Sequence, residues 1–118
     1  PQNIIESIIE LKEITKNFNQ LNLTFAVNYG GRDEIKRAAN KYKNSNNLDF
    51  ENCLDSSFLP DIDIMIRTGG FRRISNFLLW KLAHAEIFFT PKRWPEFTQN
   101  DFEAILEDYK KIERKFGK

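Results

Sequence analysis

The stretch at residues 63–80, DIMIRTGGFRRISNFLLW, decides the fold of this 118-residue chain and carries most of its candidate chemistry. Its first part has the apolar pattern of a buried strand, predicted over residues 62–66, and Arg67 and two glycines follow directly. Strands whose carboxyl ends open through glycines towards a helix commonly hold phosphates in α/β proteins. The stretch therefore predicts an α/β fold with an anion site at one edge of its sheet.

The rest of the chain alternates helical and strand periodicity. Helices are predicted over residues 3–18, 33–42, 50–58, 75–84 and 101–116, the last capped by Thr98 or Asn100, and strands over residues 21–28, 62–66 and 86–89. This alternation is typical of a largely parallel β-sheet flanked by helices. Neither a repeat nor a domain boundary interrupts it.

Composition excludes several classes of protein. The net charge of +1 argues against nucleic-acid binding, so any anion site must be local. A single cysteine and a single histidine disfavour a transition-metal site and leave Mg²⁺ on carboxylates open. The lone Cys53 favours a reducing compartment, hence a cytoplasmic protein. The start, Pro-Gln-Asn without Met, suggests a fragment or a processed product.

The arginines of the opening stretch are the strongest binding candidates. Arg67, Arg72 and Arg73 would lie at the end of the strand with Ser75 nearby. Gly69 and Gly70 would let backbone amides approach an anion. A guanidinium fork can donate two parallel hydrogen bonds to a phosphate. The alternative is a solvated basic turn, but an unpartnered charge next to a buried strand is costly.

A second glycine turn, with Asn28, Gly30, Gly31 and Arg32, follows the predicted strand at residues 21–28. A tight turn that needs positive φ explains these glycines about as well as ligand contact does. Two such turns in one chain favour a shared cleft at the carboxyl edge of the sheet.

Glu86 stands in an apolar context between Ala85 and Ile87. Buried carboxylates are uncommon unless they are paired, hydrogen-bonded or metal-bound. Two alternatives stay open for Glu86: a salt bridge to one of the arginines, or a Mg²⁺ ligand beside a bound diphosphate.

The combination of these motifs resembles the cis-prenyltransferases, the undecaprenyl diphosphate synthase family. The matching residues are Ile66 to Gly70, Arg73, Ser75 to Trp80, Asn28 to Arg32, Glu86, Trp94 and Pro95. The resemblance implies a six-stranded, largely parallel sheet and a homodimer. It also implies that isopentenyl diphosphate is condensed onto farnesyl diphosphate with the help of Mg²⁺. The product would be a long cis-polyprenyl diphosphate such as undecaprenyl diphosphate, a cell-wall precursor lipid.

The resemblance also implies roles for single residues. Arg67, Arg73 and Ser75 would bind the diphosphate of isopentenyl diphosphate, and Glu86 would support Mg²⁺. A further set would help to wall the tunnel that holds the growing product: Leu21, Leu23 and Phe25. The lipid product implies peripheral contact with a membrane.

The chain departs from the family pattern in three places. The opening family motif, which carries the principal Mg²⁺-binding Asp, is absent, and family enzymes are about twice as long. Phe71 stands where bacterial members usually carry Glu, and Lys115 stands where many carry Arg. Residues 1–118 are therefore predicted to be the carboxyl-terminal part of one domain, inactive without an amino-terminal half.

Two other functions stay open. A scaffold subunit of a heteromeric prenyltransferase would be non-catalytic, and the loss of Glu at Phe71 mildly favours it. Retention of the arginines argues against it, because a scaffold needs no diphosphate site. A nucleotide- or RNA-binding module is disfavoured by the low net charge and by the lack of a G-x-x-x-x-G-K motif.

Overall fold

The computed structural model describes residues 2–113. Its helices and strands are α1 (Gln2–Thr15), α2 (Gly31–Lys43), β1 (Ile64–Arg67), β2 (Glu86–Phe89) and α3 (Gln99–Lys110), with short 3-10 helices at Phe50–Cys53 and Trp94–Glu96. The end of the predicted last helix and the tail departure at Lys115 lie outside the described residues. In the described part, no helix is long and apolar enough to span a membrane.

The two strands form a parallel pair. Ile64 pairs with Glu86 and Arg67 with Phe89, so both carboxyl ends lie at one edge of the sheet. The predicted strands at residues 62–66 and 86–89 are thus confirmed, the first shifted so that Arg67 is its last residue. The parallel pair with its helices confirms the predicted class, an incomplete α/β fold.

The buried core of the described residues consists of two small clusters. The first joins α2 to the nearby 3-10 helix through Ala38, Cys53 and Leu54. The second joins β1 to the segment after it through Met65, Leu78 and Leu82. Both clusters are too small for a free-standing α/β domain, because sheets of this class are normally covered on both faces.

Residues 2–28 leave their apolar side chains uncovered. Helix α1 confirms the helix predicted over residues 3–18, but none of its described residues is buried. The strand predicted over residues 21–28 is not formed. A strand needs a neighbouring backbone for its N–H and C=O groups, and no described strand lies beside this segment. The predicted tunnel residues Leu21, Leu23 and Phe25 are 72–81% exposed.

The helix predicted over residues 75–84 is wrong. The segment forms successive turns, and Ser75, Asn76 and Leu78 have φ values of 48°, 64° and 41°. A right-handed helix requires negative φ at these positions. The apolar residues 77–80 had favoured a helix, but Leu78 uses this turn conformation to reach the core beside β1.

The structure also settles the cap of α3 and the length of the helix predicted over residues 50–58. Thr98 caps α3: its hydroxyl accepts from the amide of Asp101, and the Asp101 carboxylate accepts from the amide of Thr98. The short helix predicted over residues 50–58 forms only one 3-10 turn, Phe50–Cys53, and continues as turns.

Candidate functional site

Arg67, Arg73 and Ser75 meet at the carboxyl end of β1. Arg67 is the last residue of the strand, and its Nη1 donates to the Ser75 hydroxyl at 2.8 Å. The same nitrogen donates to the backbone carbonyl of Arg73. One guanidinium thus ties together the backbone and the hydroxyl of the loop that follows the strand. We call Arg67, Arg73 and Ser75 the arginine cluster.

The positive charge of the arginine cluster is not neutralised by a neighbouring acid. Arg67, Arg72 and Arg73 form no ion pair with any carboxylate of the described residues. The Arg73 guanidinium lies instead over the ring of Phe71, with Cζ 4.2 Å from the ring centroid. The cluster can therefore offer its charge to an external anion.

Gly69 and Gly70 do not serve the anion in the way the sequence predicted. The Gly69 amide donates to the carbonyl of Lys92 at 2.7 Å, and the Gly70 amide donates to the carbonyl of Thr90 at 3.0 Å. Their φ values of 90° and 79° show why glycine is needed: both residues adopt backbone conformations that a side chain disfavours.

Other amides of the loop remain available for an anion. In the described part of the chain, the amides of residues 71–76 donate to no acceptor. Ser75 and Asn76 lie here in the left-handed region, and successive amides in such turns can form an anion-binding concavity. The loop therefore presents free amide donors beside the arginine cluster.

The second glycine turn is joined to the first through Asn76. The Gly31 amide donates to the Asn76 carbonyl at 2.7 Å, and the Arg32 amide donates to Asn76 Oδ1 at 2.8 Å. Because Asn76 follows Ser75 directly, the two predicted turns lie side by side. The amides of Gly31 and Arg32 are used in this contact, so they are not anion donors here.

Close packing, and not positive φ, explains Gly30 and Gly31. A Cβ on Gly31 would lie 2.8 Å from Leu79 Cγ, and one on Gly30 would lie 2.9 Å from Asn76 Nδ2. The positive φ of this turn belongs to Asn28, at 52°. The tight-turn explanation of these two glycines is therefore wrong in its details.

A buried carboxylate that the sequence did not single out supports this turn. Glu34, in the first turns of α2, is fully buried and accepts hydrogen bonds from the Tyr29 hydroxyl and from the Ser56 amide, the latter at 2.8 Å. Tyr29 in turn packs edge-to-face on Phe77, with ring centroids 6.0 Å apart. The one signal in the sequence was the helical spacing of Glu34 and Ala38, which share the buried face of α2.

The hydrogen bonds of Glu34 shift two pKa values in opposite directions. Burial alone would raise the pKa of Glu34, but hydrogen bonds from Ser56 and Tyr29 outweigh it and lower that pKa below its usual range. Burial and the adjacent Glu34 carboxylate raise the pKa of Tyr29 well above its usual value. Glu34 is therefore ionised and Tyr29 neutral at neutral pH.

Glu86 does not lie with the arginine cluster. It is the first residue of β2, three positions before Phe89, the residue that pairs with Arg67. At about 3.3 Å per residue, it is ~10 Å from the arginine edge of the sheet. It forms no ion pair with an arginine of residues 2–113, so the salt-bridge alternative is wrong within that range.

The described residues do not form a Mg²⁺ site by themselves. None of their His, Cys, Asp and Glu side chains form a group of three that could hold a metal ion. Mg²⁺ in phosphate sites is usually held by one or two carboxylates together with substrate oxygens. The half-buried Glu86 could supply one such ligand, but the rest of the ligand set would have to come from elsewhere.

Comparison with known proteins gives a consistent family match. A family model for undecaprenyl diphosphate synthase matches residues 1–117. An isoprenyl transferase from Aquifex aeolicus is 45% identical over 122 residues, covering 99% of this chain and 53% of that protein. An isoprenyl transferase from Helicobacter pylori is 41% identical, covering 95% of this chain and 52% of that protein. The chain thus spans about half the length of these relatives.

Solved structures agree with the sequence matches. A probable undecaprenyl diphosphate synthase from Campylobacter jejuni superposes with a TM-score of 0.82 at 37% identity, covering all of this chain and 58% of that one. Lavandulyl diphosphate synthase from Lavandula x intermedia, in complex with dimethylallyl diphosphate, gives a TM-score of 0.89 at 30% identity, covering all of this chain and 56% of that one.

Proposed function

Because this chain belongs to the undecaprenyl diphosphate synthase family, we propose that it is part of a cis-prenyltransferase and supplies the binding site for isopentenyl diphosphate. The complete enzyme would condense isopentenyl diphosphate onto an allylic diphosphate such as farnesyl diphosphate. Repeated condensation would yield a long cis-polyprenyl diphosphate such as undecaprenyl diphosphate.

One observation carries this proposal. The arginine cluster brings two guanidinium-bearing residues and a hydroxyl to one sheet edge, and no carboxylate of residues 2–113 neutralises the arginines. Arg67 is half-buried and Arg73 is exposed, so their guanidinium donors are accessible to an anion from solvent. A diphosphate supplies the negative charge and the acceptor oxygens that these groups lack. A solved relative was crystallised with a prenyl diphosphate, dimethylallyl diphosphate, which supports the same ligand class for this chain.

The residues of the cluster would act by holding and orienting the substrate. Arg67 and Arg73 would each donate to diphosphate oxygens, and Ser75 would donate its hydroxyl hydrogen. Fixing the charged head in this way would place the reactive double bond against the allylic partner, which lowers the entropic part of the barrier. Catalytic groups proper would come from outside this chain.

The remaining parts of the enzyme are also proposals. We assign residues 1–118 to the carboxyl-terminal half of the domain, and the uncovered apolar face of α1 fits a missing amino-terminal half or a second copy of the chain. Mg²⁺ would be held mainly by residues of that half, with Glu86 as a supporting carboxylate. We further propose a cytoplasmic homodimer that touches the membrane through its lipid product.

Direct binding of isopentenyl diphosphate tests the proposal. The protein is purified from its source with any polypeptide that accompanies it, and binding is measured by calorimetry for wild type and Arg73→Ala. Loss of charge-assisted hydrogen bonds should weaken binding about ten- to a hundredfold. Lys43→Ala, which removes a positive charge from the far end of α2, is the matched control and should bind as wild type does.

Two results would reject the proposal. Equal affinities of wild type and Arg73→Ala would show that the arginine cluster does not bind the substrate. Absence of isopentenyl diphosphate binding, together with tight association with a catalytic prenyltransferase subunit, would favour the scaffold function.

A further inference from the structure

We propose that Phe71 is a positioning residue that holds the Arg73 guanidinium ready for a diphosphate. This inference rests on the proposed function of the arginine cluster and adds a residue to it. Phe71 is 54% exposed, so it does not contribute a core side chain that would explain an aromatic ring at this position.

The contact between the two side chains is specific. Arg73 Cζ lies 4.2 Å from the centroid of the Phe71 ring, well inside the range in which an aromatic face attracts a cation. No other cation–π contact is formed by residues 2–113. The contact is also local, since the two residues are separated by one position along the loop.

The backbone on both sides of Phe71 is fixed. The Gly70 amide donates to the Thr90 carbonyl at 3.0 Å, and the Arg73 carbonyl accepts from Arg67 Nη1. Arg73 is thus held at two points: its carbonyl by Arg67 and its guanidinium by the ring of Phe71. An arginine restrained in this way loses less side-chain entropy when it binds a ligand.

A ring orients Arg73 without neutralising it. A carboxylate in this position would accept the N–H donors of the guanidinium and compete with a diphosphate for them. An aromatic ring attracts the guanidinium without neutralising its charge, so its N–H groups can still make a bidentate contact with a diphosphate. The aromatic residue therefore suits a site whose ligand is a strong anion.

The test is a double-mutant cycle on the binding of isopentenyl diphosphate, with inorganic diphosphate as a second probe. Phe71→Leu keeps an apolar side chain but removes the π face, and an exposed cation–π contact corresponds to about a two- to fivefold change in Kd. We expect Phe71→Leu to weaken the binding of both ligands by this factor. Phe71→Trp, which keeps an aromatic face, should bind both ligands as tightly as wild type does. Phe58→Leu changes a 70% exposed phenylalanine that contacts no cation within residues 2–113, and it is the matched control.

The Arg73→Ala background separates positioning from a structural role. If Phe71 acts through Arg73, Phe71→Leu has no further effect on Kd once Arg73 is removed. A loss of affinity that persists in that background overturns the inference, and so does an unchanged Kd in Phe71→Leu. If Arg73→Ala itself leaves Kd unchanged, or wild type binds neither ligand, the proposed function fails and this inference with it.

Discussion

Replacing Tyr29 by Phe removes one hydroxyl from the buried Glu34 carboxylate and keeps the ring that packs on Phe77. Glu34 is fully buried and, among the described residues, would retain a hydrogen bond only from Ser56. A hydrogen bond to a charged group contributes about 1.5–3 kcal/mol, and a buried charge that loses a donor suffers the larger part of that range. We expect Tyr29→Phe to lower the free energy of unfolding by about 2 kcal/mol at neutral pH.

Urea unfolding, monitored through tryptophan fluorescence, measures this change in the free energy of unfolding. The matched control is Tyr42→Phe, because the Tyr42 hydroxyl makes no hydrogen bond within residues 2–113 and its side chain is 51% exposed. The control should change stability by less than about 0.5 kcal/mol. Equal unfolding midpoints for Tyr29→Phe and Tyr42→Phe would refute the structural role of the Tyr29–Glu34 hydrogen bond.

Tyr29→Phe should change how the free energy of unfolding depends on pH in both the alkaline and the acid range. The folded pKa of Tyr29 is raised, so its contribution is complete below the unfolded value of about 10 and is lost as the pH rises beyond it. Tyr29→Phe should therefore remove part of the alkaline decline. The pKa of Glu34 is lowered, so its contribution is present above about pH 4.3 and is lost as the pH falls. Without the Tyr29 donor, the folded pKa of Glu34 is lowered less, so the loss of stability on acidification should be smaller than in wild type.

Two further substitutions test the local structure through the midpoint of urea unfolding. Gly31→Ala places a Cβ 2.8 Å from Leu79 Cγ. This overpacking should lower the free energy of unfolding by about 1–3 kcal/mol. A urea midpoint equal to that of wild type would show that the close packing does not require glycine. Thr98→Ala removes the capping contact with Asp101 and should cost about 1 kcal/mol, while Asn100→Ala, inside the helix, should cost less. If the Asn100 variant were the more damaging of the two, the assigned cap would be wrong.

Local signals were sufficient for several elements of the fold. The apolar residues before Arg67 predicted β1. The helix predicted over residues 33–42 is confirmed as α2, although it begins two residues earlier, at Gly31. Residue type narrowed the cap of α3 to Thr98 or Asn100, and the structure selects Thr98 through its contact with Asp101, three positions away. The identities of the arginine cluster followed from the residues that directly succeed β1.

The errors share a physical cause: they concern groups whose partners are distant in sequence. The predicted helix at residues 75–84 did not form, and Asn76 instead bonds Arg32, 44 positions away. Glu34 looked like an ordinary polar residue of a helix, but its acceptor oxygen meets the Ser56 amide, 22 positions away. The strand at residues 21–28 had the right alternation, but no described strand supplies its hydrogen bonds.

By itself, the sequence determined the three α-helices and the two paired strands of the described residues, and the parallel α/β class. It also determined the residue types that collect at the end of β1, because periodicity, caps and glycines act over a few positions. Only the tertiary structure decided which donors stay free and which charges stay unpaired. The amides of Gly69 and Gly70 are used by the backbone of residues 90–92, whereas those of residues 71–76 are left open. Hydrogen bonds and ion pairs are settled by whichever groups meet in space, and that depends on how distant segments pack.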